Sequence, residues 1–187
     1  MLYLYRIIVG SDYMKVFISC SSSDNVPDKY KEQAKEVANY LASTGYDLLF
    51  GSSNKGLMGI VYREFYSLKR KIYTVVPQTL IGNLTEVDAD DIITVDNVLL
   101  QPSTLVEESD LIVVLPGGIG TMSELAIALF NNKLLNSKKI IIYNIDNFFD
   151  DCLNFFSKME KNNCVIKSDF NDFMVVENIN ELKNIIK

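Results

Sequence analysis

Histidine is absent from all 187 residues. That one absence removes Ser-His-Asp and Cys-His hydrolases, His-ligated zinc sites and imidazole general bases. Cysteine is scarce: Cys20, Cys152 and Cys164 are odd in number and far apart. They supply neither a disulfide framework nor a four-thiolate zinc site, and they read as buried, inert thiols of a reducing cytoplasm. Positive charge is also short, with 18 Lys and Arg against 24 Asp and Glu and a formal net charge of -6. The local run "SLKRK" at 67–71 is too brief to form a basic stripe, so binding of nucleic acid through its phosphates is not expected.

No apolar run is long enough for a membrane. The opening "MLYLYRIIVGSDYMKVFISC" is broken by Arg6, Asp12 and Lys15, well below the roughly 18 apolar residues a span requires. It also lacks the basic start and small-residue cleavage site of a signal peptide. Residues 1–13 read as an N-terminal extension of unassigned role, or as a start placed too early. Residues 14–187 read as a single domain, since 48% apolar and 22% charged residues suit a globular chain.

What is present alternates. Short β-rich apolar runs, "KVFISC" (15–20), "YDLLF" (46–50), "KIYTVVP" (71–77), "DDIITV" (90–95), "DLIVVL" (110–115) and "KKIIIYN" (138–144), are separated by helical segments. In the first helix Tyr30, Ala34, Val37, Ala38 and Leu41 recur at helical spacing, and Gly45 supplies the stop. Further helices are expected from about Pro102 to Ser109, from Thr121 onward and through "FFDDCLNFFSKMEKN", with a short strand and helix at the end. Nearly unbroken apolar strands mean that both faces are covered. The fold class is therefore α/β: a doubly wound, Rossmann-like, mostly parallel sheet with helices on both faces. The aromatic residues of "REFYSLKRKIY" and "FFDDCLNFF" read mainly as core.

Ligands of such folds bind outside the carboxyl ends of the strands. Three turns rich in glycine or serine fall there: "CSSSD", "GSSNKGLMG" and "PGGIGT". Gly117, Gly118 and Gly120 allow positive φ and let backbone amides approach an anion, with the helix from Thr121 adding its positive end. Glu124 follows three residues after Thr121. By spacing the pair reads as a capping box; functionally the carboxyl would face the phosphate cleft as a ligand for ribose hydroxyls or as an acid or base. The spacing fits neither a Walker A loop nor a dinucleotide fingerprint.

Together Pro116, Gly117, Gly118, Gly120, Thr121 and Glu124 resemble the signature of the Lonely Guy (LOG) family, also called lysine decarboxylase-like. An earlier family turn is half matched: Gly51, Gly56, Leu57, Met58 and Gly59 are present, while Ser52 and Ser53 replace glycines. The resemblance spans roughly residues 14–185. No motif supplies the Schiff-base lysine of a pyridoxal phosphate decarboxylase. The resemblance implies hydrolysis of the N-glycosidic bond of a nucleoside 5′-monophosphate, cytokinin-type nucleotides included, to free base and ribose 5-phosphate. It implies no metal and no organic cofactor, and a homodimer whose sites are completed across the two-fold interface. The nucleotide and its phosphate would be held by Ser21, Gly51, Ser52, Ser53, Met58, Gly117, Gly118, Gly120 and Thr121, with Glu124 catalytic. One departure stands out. The family arginine before the turn corresponds to Gln101, followed by Pro102, and glutamine carries no charge. The alternative implied is a non-catalytic binding or carrier protein for a nucleotide or phosphorylated cofactor, like the molybdenum cofactor carriers.

Overall fold

A computed structural model describes residues 14–83, 87–135, 138–166 and 173–186; the extension 1–13, expected not to be a signal peptide, lies outside them. Seven strands form one sheet: β1 (Lys15–Ser19), β2 (Asp47–Phe50), β3 (Ile72–Pro77), β4 (Asp91–Val95), β5 (Leu111–Val114), β6 (Lys139–Tyr143) and β7 (Phe173–Val176). The described residues also form six α-helices, of which the first five connect strands and the last follows β7: α1 (Asp28–Ser43), α2 (Gly56–Ser67), α3 (Leu100–Glu108), α4 (Ile119–Leu135), α5 (Asp150–Lys161) and α6 (Ile179–Ile185). The spatial order is β4-β3-β2-β1-β5-β6-β7, and every pair is parallel. The chain winds outward from β1 to β4, then returns to begin again at β5. The order therefore reverses between β1 and β5, and a crevice opens at their carboxyl ends.

The period of two along each strand sorts the core into two layers. Val16, Ile18, Leu48, Phe50, Leu111 and Val113 face α1, α2 and α6. Phe17, Leu49, Ile112, Val114, Ile140 and Ile142 face α3, α4 and α5. Both layers are dry, with Val16, Leu48, Val113 and Ile140 wholly inaccessible, and each such side chain contributes about 1.5–3 kcal/mol. Helix α1 ends as its glycine dictates, since Gly45 at φ +102° takes a conformation that a side chain would oppose. Helix α3 starts at Leu100, two residues before the expected Pro102; proline is tolerated in the first turn, where its missing N–H has no partner to lose.

At the amino edge of the sheet Asp47, 1% exposed, accepts from Arg70 Nη2 at 2.7 Å and from the Lys71 amide at 3.1 Å. This pair pins the start of β2 to the start of β3, opposite to the crevice. The aromatic segments divide: Phe65 and Phe149 are core, whereas Tyr66, Phe148 and Phe155 are exposed. The cysteines also divide. All three are free, but only Cys20 is buried; Cys152 is half-buried and Cys164 exposed, because the latter two sit on or just beyond the outer helix α5. No helix among the described residues is long and apolar enough to cross a membrane.

Candidate functional site

Strand β1 ends in Ser19, a hydroxyl in a strand that is otherwise apolar after Lys15. Being two residues beyond Phe17, it points to the layer that holds α4. Across the crevice β5 ends at Val114, which pairs with Ser19 in register, and Leu115-Pro116-Gly117-Gly118 leads into α4. Thr121, Leu125, Ala128 and Asn132 form the buried stripe of that helix, and Glu124 lies on its flank, one turn from both Thr121 and Ala128. The two elements meet there: the Ser19 hydroxyl donates to Glu124 Oε2.

Burial pushes the Glu124 carboxyl up to about 7 from its ordinary 4.5, with the Ser19 hydrogen bond working in the opposite direction. No ion pair of the described residues includes Glu124. The Cys20 thiol beside it is raised strongly, first by burial and then by the charge of Glu124, so it remains protonated and unreactive.

The capping box is not formed. Helix α4 begins at Ile119 rather than Thr121, so Thr121 is a helical residue, 3% exposed, and Glu124 bonds Ser19 instead of the Thr121 amide. The freedom of glycine to take positive φ is not used in this turn: Gly45 and Gly56 are the glycines in that region among those described, not Gly117, Gly118 or Gly120. The glycines serve by their lack of bulk. A Cβ on Gly117 would lie 2.6 Å from Thr121 Cβ and nearer still to its Oγ1, while a Cβ on Gly118 or Gly120 would meet nothing within 4 Å. Gly117 is thus needed for packing. Gly118 and Gly120 border open, solvent-exposed space. The amides of Gly118, Ile119, Gly120 and Thr121 find no acceptor among the described residues, leaving four donors at the positive end of a 17-residue helix.

The second turn is arranged differently. The Gly56 amide donates to Asp24 Oδ1 at 2.8 Å, and the Leu57 and Met58 amides donate to the Ser21 carbonyl at 2.9 and 3.2 Å. The start of α2 is therefore capped by the loop after β1, and the Met58 amide is already engaged. Ser21 joins both turns, since its own amide donates to the Pro116 carbonyl at 3.1 Å. Gln101 stands against this turn: its Nε2 donates to the Val75 carbonyl at 2.7 Å and would lie 3.3 Å from a Cβ on Gly51, with Met58 Cε at 3.5 Å. Ser19, Ser21, Gly117, Thr121 and Glu124 form one cluster and Gly51, Met58 and Gln101 another, linked through Ser21. Gln101 and Glu124 make no hydrogen bond to each other.

Ser52 holds φ +71°, a conformation that suits glycine. Relief of that strain should outweigh the entropy a glycine adds to the unfolded chain. Ser52→Gly is expected to stabilise the protein by about 1 kcal/mol, read as a rise in the urea midpoint; an unchanged or lower midpoint would show that the serine is not strained. Ser53 follows, its hydroxyl accepting from the Lys55 amide at 3.3 Å.

Ser19 is the site residue that motif spacing does not reveal. Its signal was modest: a lone hydroxyl at the carboxyl end of a buried strand beside the topological switch.

Comparison with known proteins identifies the family and the fold. The family model described as "Possible lysine decarboxylase" matches residues 58–186, more than half of the chain. The chain is 27% identical over 150 residues to a cytokinin riboside 5′-monophosphate phosphoribohydrolase of Arabidopsis thaliana, covering 79% of this chain and 70% of that protein. It is 27% identical over 153 residues to a rice (Oryza sativa subsp. japonica) protein named "Probable cytokinin riboside 5'-monophosphate phosphoribohydrolase", covering 81% of this chain. The match takes in only 61% of that rice relative's length. In fold it resembles the molybdenum cofactor carrier protein of Chlamydomonas reinhardtii, with a TM-score of 0.70 at 15% identity over 93% of this chain and 96% of that one. The molybdenum cofactor binding protein of Rippkaea orientalis superposes at 0.63, with 19% identity over 94% and 97% of the two chains.

Proposed function

Because the chain belongs to the "Possible lysine decarboxylase" family, the LOG family, we propose that it hydrolyses the N-glycosidic bond of a nucleoside 5′-monophosphate. The observation that carries the reading is a half-buried carboxyl, Glu124, raised to about 7 and one turn beyond four unengaged helix-terminal amides. The 5′-phosphate docks on the amides of 118–121, beside the open space at Gly118 and Gly120, and anchors the substrate without a lysine. Ser21, Gly51, Ser52, Ser53, Met58 and Thr121 line the remainder of the nucleotide site. The Glu124 carboxylate then holds the ribose hydroxyls and offsets positive charge as the bond from C1′ to the base nitrogen breaks. Water attacks C1′; its oxygen becomes the new hydroxyl of ribose 5-phosphate, one proton passes to the carboxylate, and the departing base nitrogen is protonated in turn. A reaction of this kind needs a carboxylate that can change state near neutrality, and burial supplies one.

A second reading keeps the binding and drops the chemistry. Gln101 is uncharged where the family has arginine, and its amide nitrogen is engaged by Val75. A protein so equipped would hold a nucleotide or a phosphorylated cofactor without turnover, as the names of the carrier proteins of the same fold suggest. Incubation with AMP, GMP, CMP, UMP and isopentenyl-AMP separates the two. Free base and ribose 5-phosphate from one of them supports hydrolysis; a ligand-induced rise in Tm with no released base supports the carrier.

The proposal includes a homodimer. Ile119, Phe130, Leu134 and Leu135 leave α4 with exposed apolar side chains, Ile119 86% accessible, beside the site they would complete. Sedimentation at micromolar concentration should give twice the 21.2 kDa chain mass; a monomer would remove this part of the reading. A cytoplasmic location is part of the same proposal, and the free cysteines are in keeping with it.

A further inference from the structure

Glu124 does not hold itself in place. It lies on the second turn of α4, where an unrestrained glutamate side chain samples several rotamers. One group fixes it. Ser19 is 1% exposed, is clamped by strand pairing with β5 at Val114, and directs its hydroxyl at Oε2. A serine hydroxyl has a single proton, and no carbonyl competes for it: Glu124 is its recorded acceptor. Oε1 of Glu124 has no partner among the described residues and remains available to the crevice. We propose that Ser19 is a positioning residue, whose hydroxyl locks one oxygen of Glu124 and leaves the other presented to a ligand. The inference rests on the reading of Glu124 as the functional acid.

The surroundings leave few other causes for this orientation. The titratable neighbour at the end of β1 is the Cys20 thiol, which is protonated. On α3, the helix packed against α4, Glu107 and Glu108 lie at the amino-edge end, and Glu108 pairs with Lys15 at the start of β1, 3.5 Å away. On α4 itself Lys133 sits in the last turn, more than two turns from Glu124. Among the described residues no cation is recorded in an ion pair with the Glu124 carboxylate.

The test titrates Glu124 directly, through the side-chain carboxyl carbon of protein labelled with 13C-glutamate, in the wild type, Ser19→Ala and Cys20→Ala. A hydroxyl that donates to the carboxylate favours its ionised form. Its loss should therefore raise the Glu124 midpoint by about one pH unit, a ten-fold change in the ionisation constant, with the fold retained. Cys20→Ala should leave the midpoint in place. An unmoved midpoint in folded Ser19→Ala would overturn the proposal. So would an equal shift in Cys20→Ala, which would assign the effect to repacking at the end of β1. If the wild type releases no base from any nucleotide, the hydrolase reading fails separately, while the titration still decides the role of Ser19.

Discussion

Glu124→Gln is expected to lower kcat/KM for base release by about 10³-fold, on the order of 4 kcal/mol of transition-state stabilisation, while nucleotide still raises Tm. Glutamine preserves shape and can still accept from Ser19 but carries no charge and takes no proton. In the wild type the rate should climb as pH passes about 7, where the carboxyl ionises. The same substitution has a stability consequence of the opposite sign. The folded state holds the Glu124 proton up to about 7, whereas the unfolded chain releases it near 4.5. The native state thus binds more protons between those values, and stability falls as pH rises through that window, by up to about 3 kcal/mol. Glu124→Gln escapes that loss. Its Tm should exceed that of the wild type at pH 8, and the difference should shrink toward pH 5. A variant that keeps full activity would sink the catalytic role, and one with no pH-dependent gain in Tm would sink the buried-acid account.

Gly117→Ala should cost roughly 3 kcal/mol in stability and abolish nucleotide binding, because the new Cβ would collide with buried Thr121 and force the turn away from α4. Gly118→Ala and Gly120→Ala provide the contrast. Neither meets an obstacle within 4 Å, and Gly120 is a helical position where alanine is the better former. Both should fold with Tm at or above that of the wild type. Both should nevertheless weaken nucleotide binding about ten-fold or more, since their Cβ atoms occupy the space beside the free amides. Calorimetric titration with AMP alongside thermal melts reads both quantities. Unimpaired binding in Gly118→Ala and Gly120→Ala would place the phosphate elsewhere.

The architecture was legible because buried parallel strands advertise themselves. "DLIVVL" has no polar residue after Asp110, and "DDIITV" became β4 within one residue of its expected start. The start of α4 was two residues off because Gly118 to Gly120 have weak local preference, and packing of Thr121 against Gly117 decides the boundary. That shift undid the capping box. The glycine turn and Glu124 were visible as a motif, but the partner of Glu124 was not: it lies 105 residues away, and no local pattern encodes a contact of that span. Likewise nothing in "GSSNKGLMG" discloses that its helix amides are taken by Ser21 and Asp24. Only the sheet order, which places β1 between β2 and β5, brings that loop to both turns.

That placement also dictates when the site can exist. The loop after β1 caps α2 as soon as the first half of the sheet has formed, since those contacts span tens of residues. The Ser21 to Pro116 and Ser19 to Glu124 contacts require β5 to dock against β1 first, closing a much longer loop. During synthesis the emerging chain therefore builds its first four strands with one flank of β1 open, and that flank is a bare hydrogen-bonding edge until β5 arrives. Ligand competence therefore waits for β5 and the helix that follows it, and is the first property the fold should lose when the two halves of the sheet part.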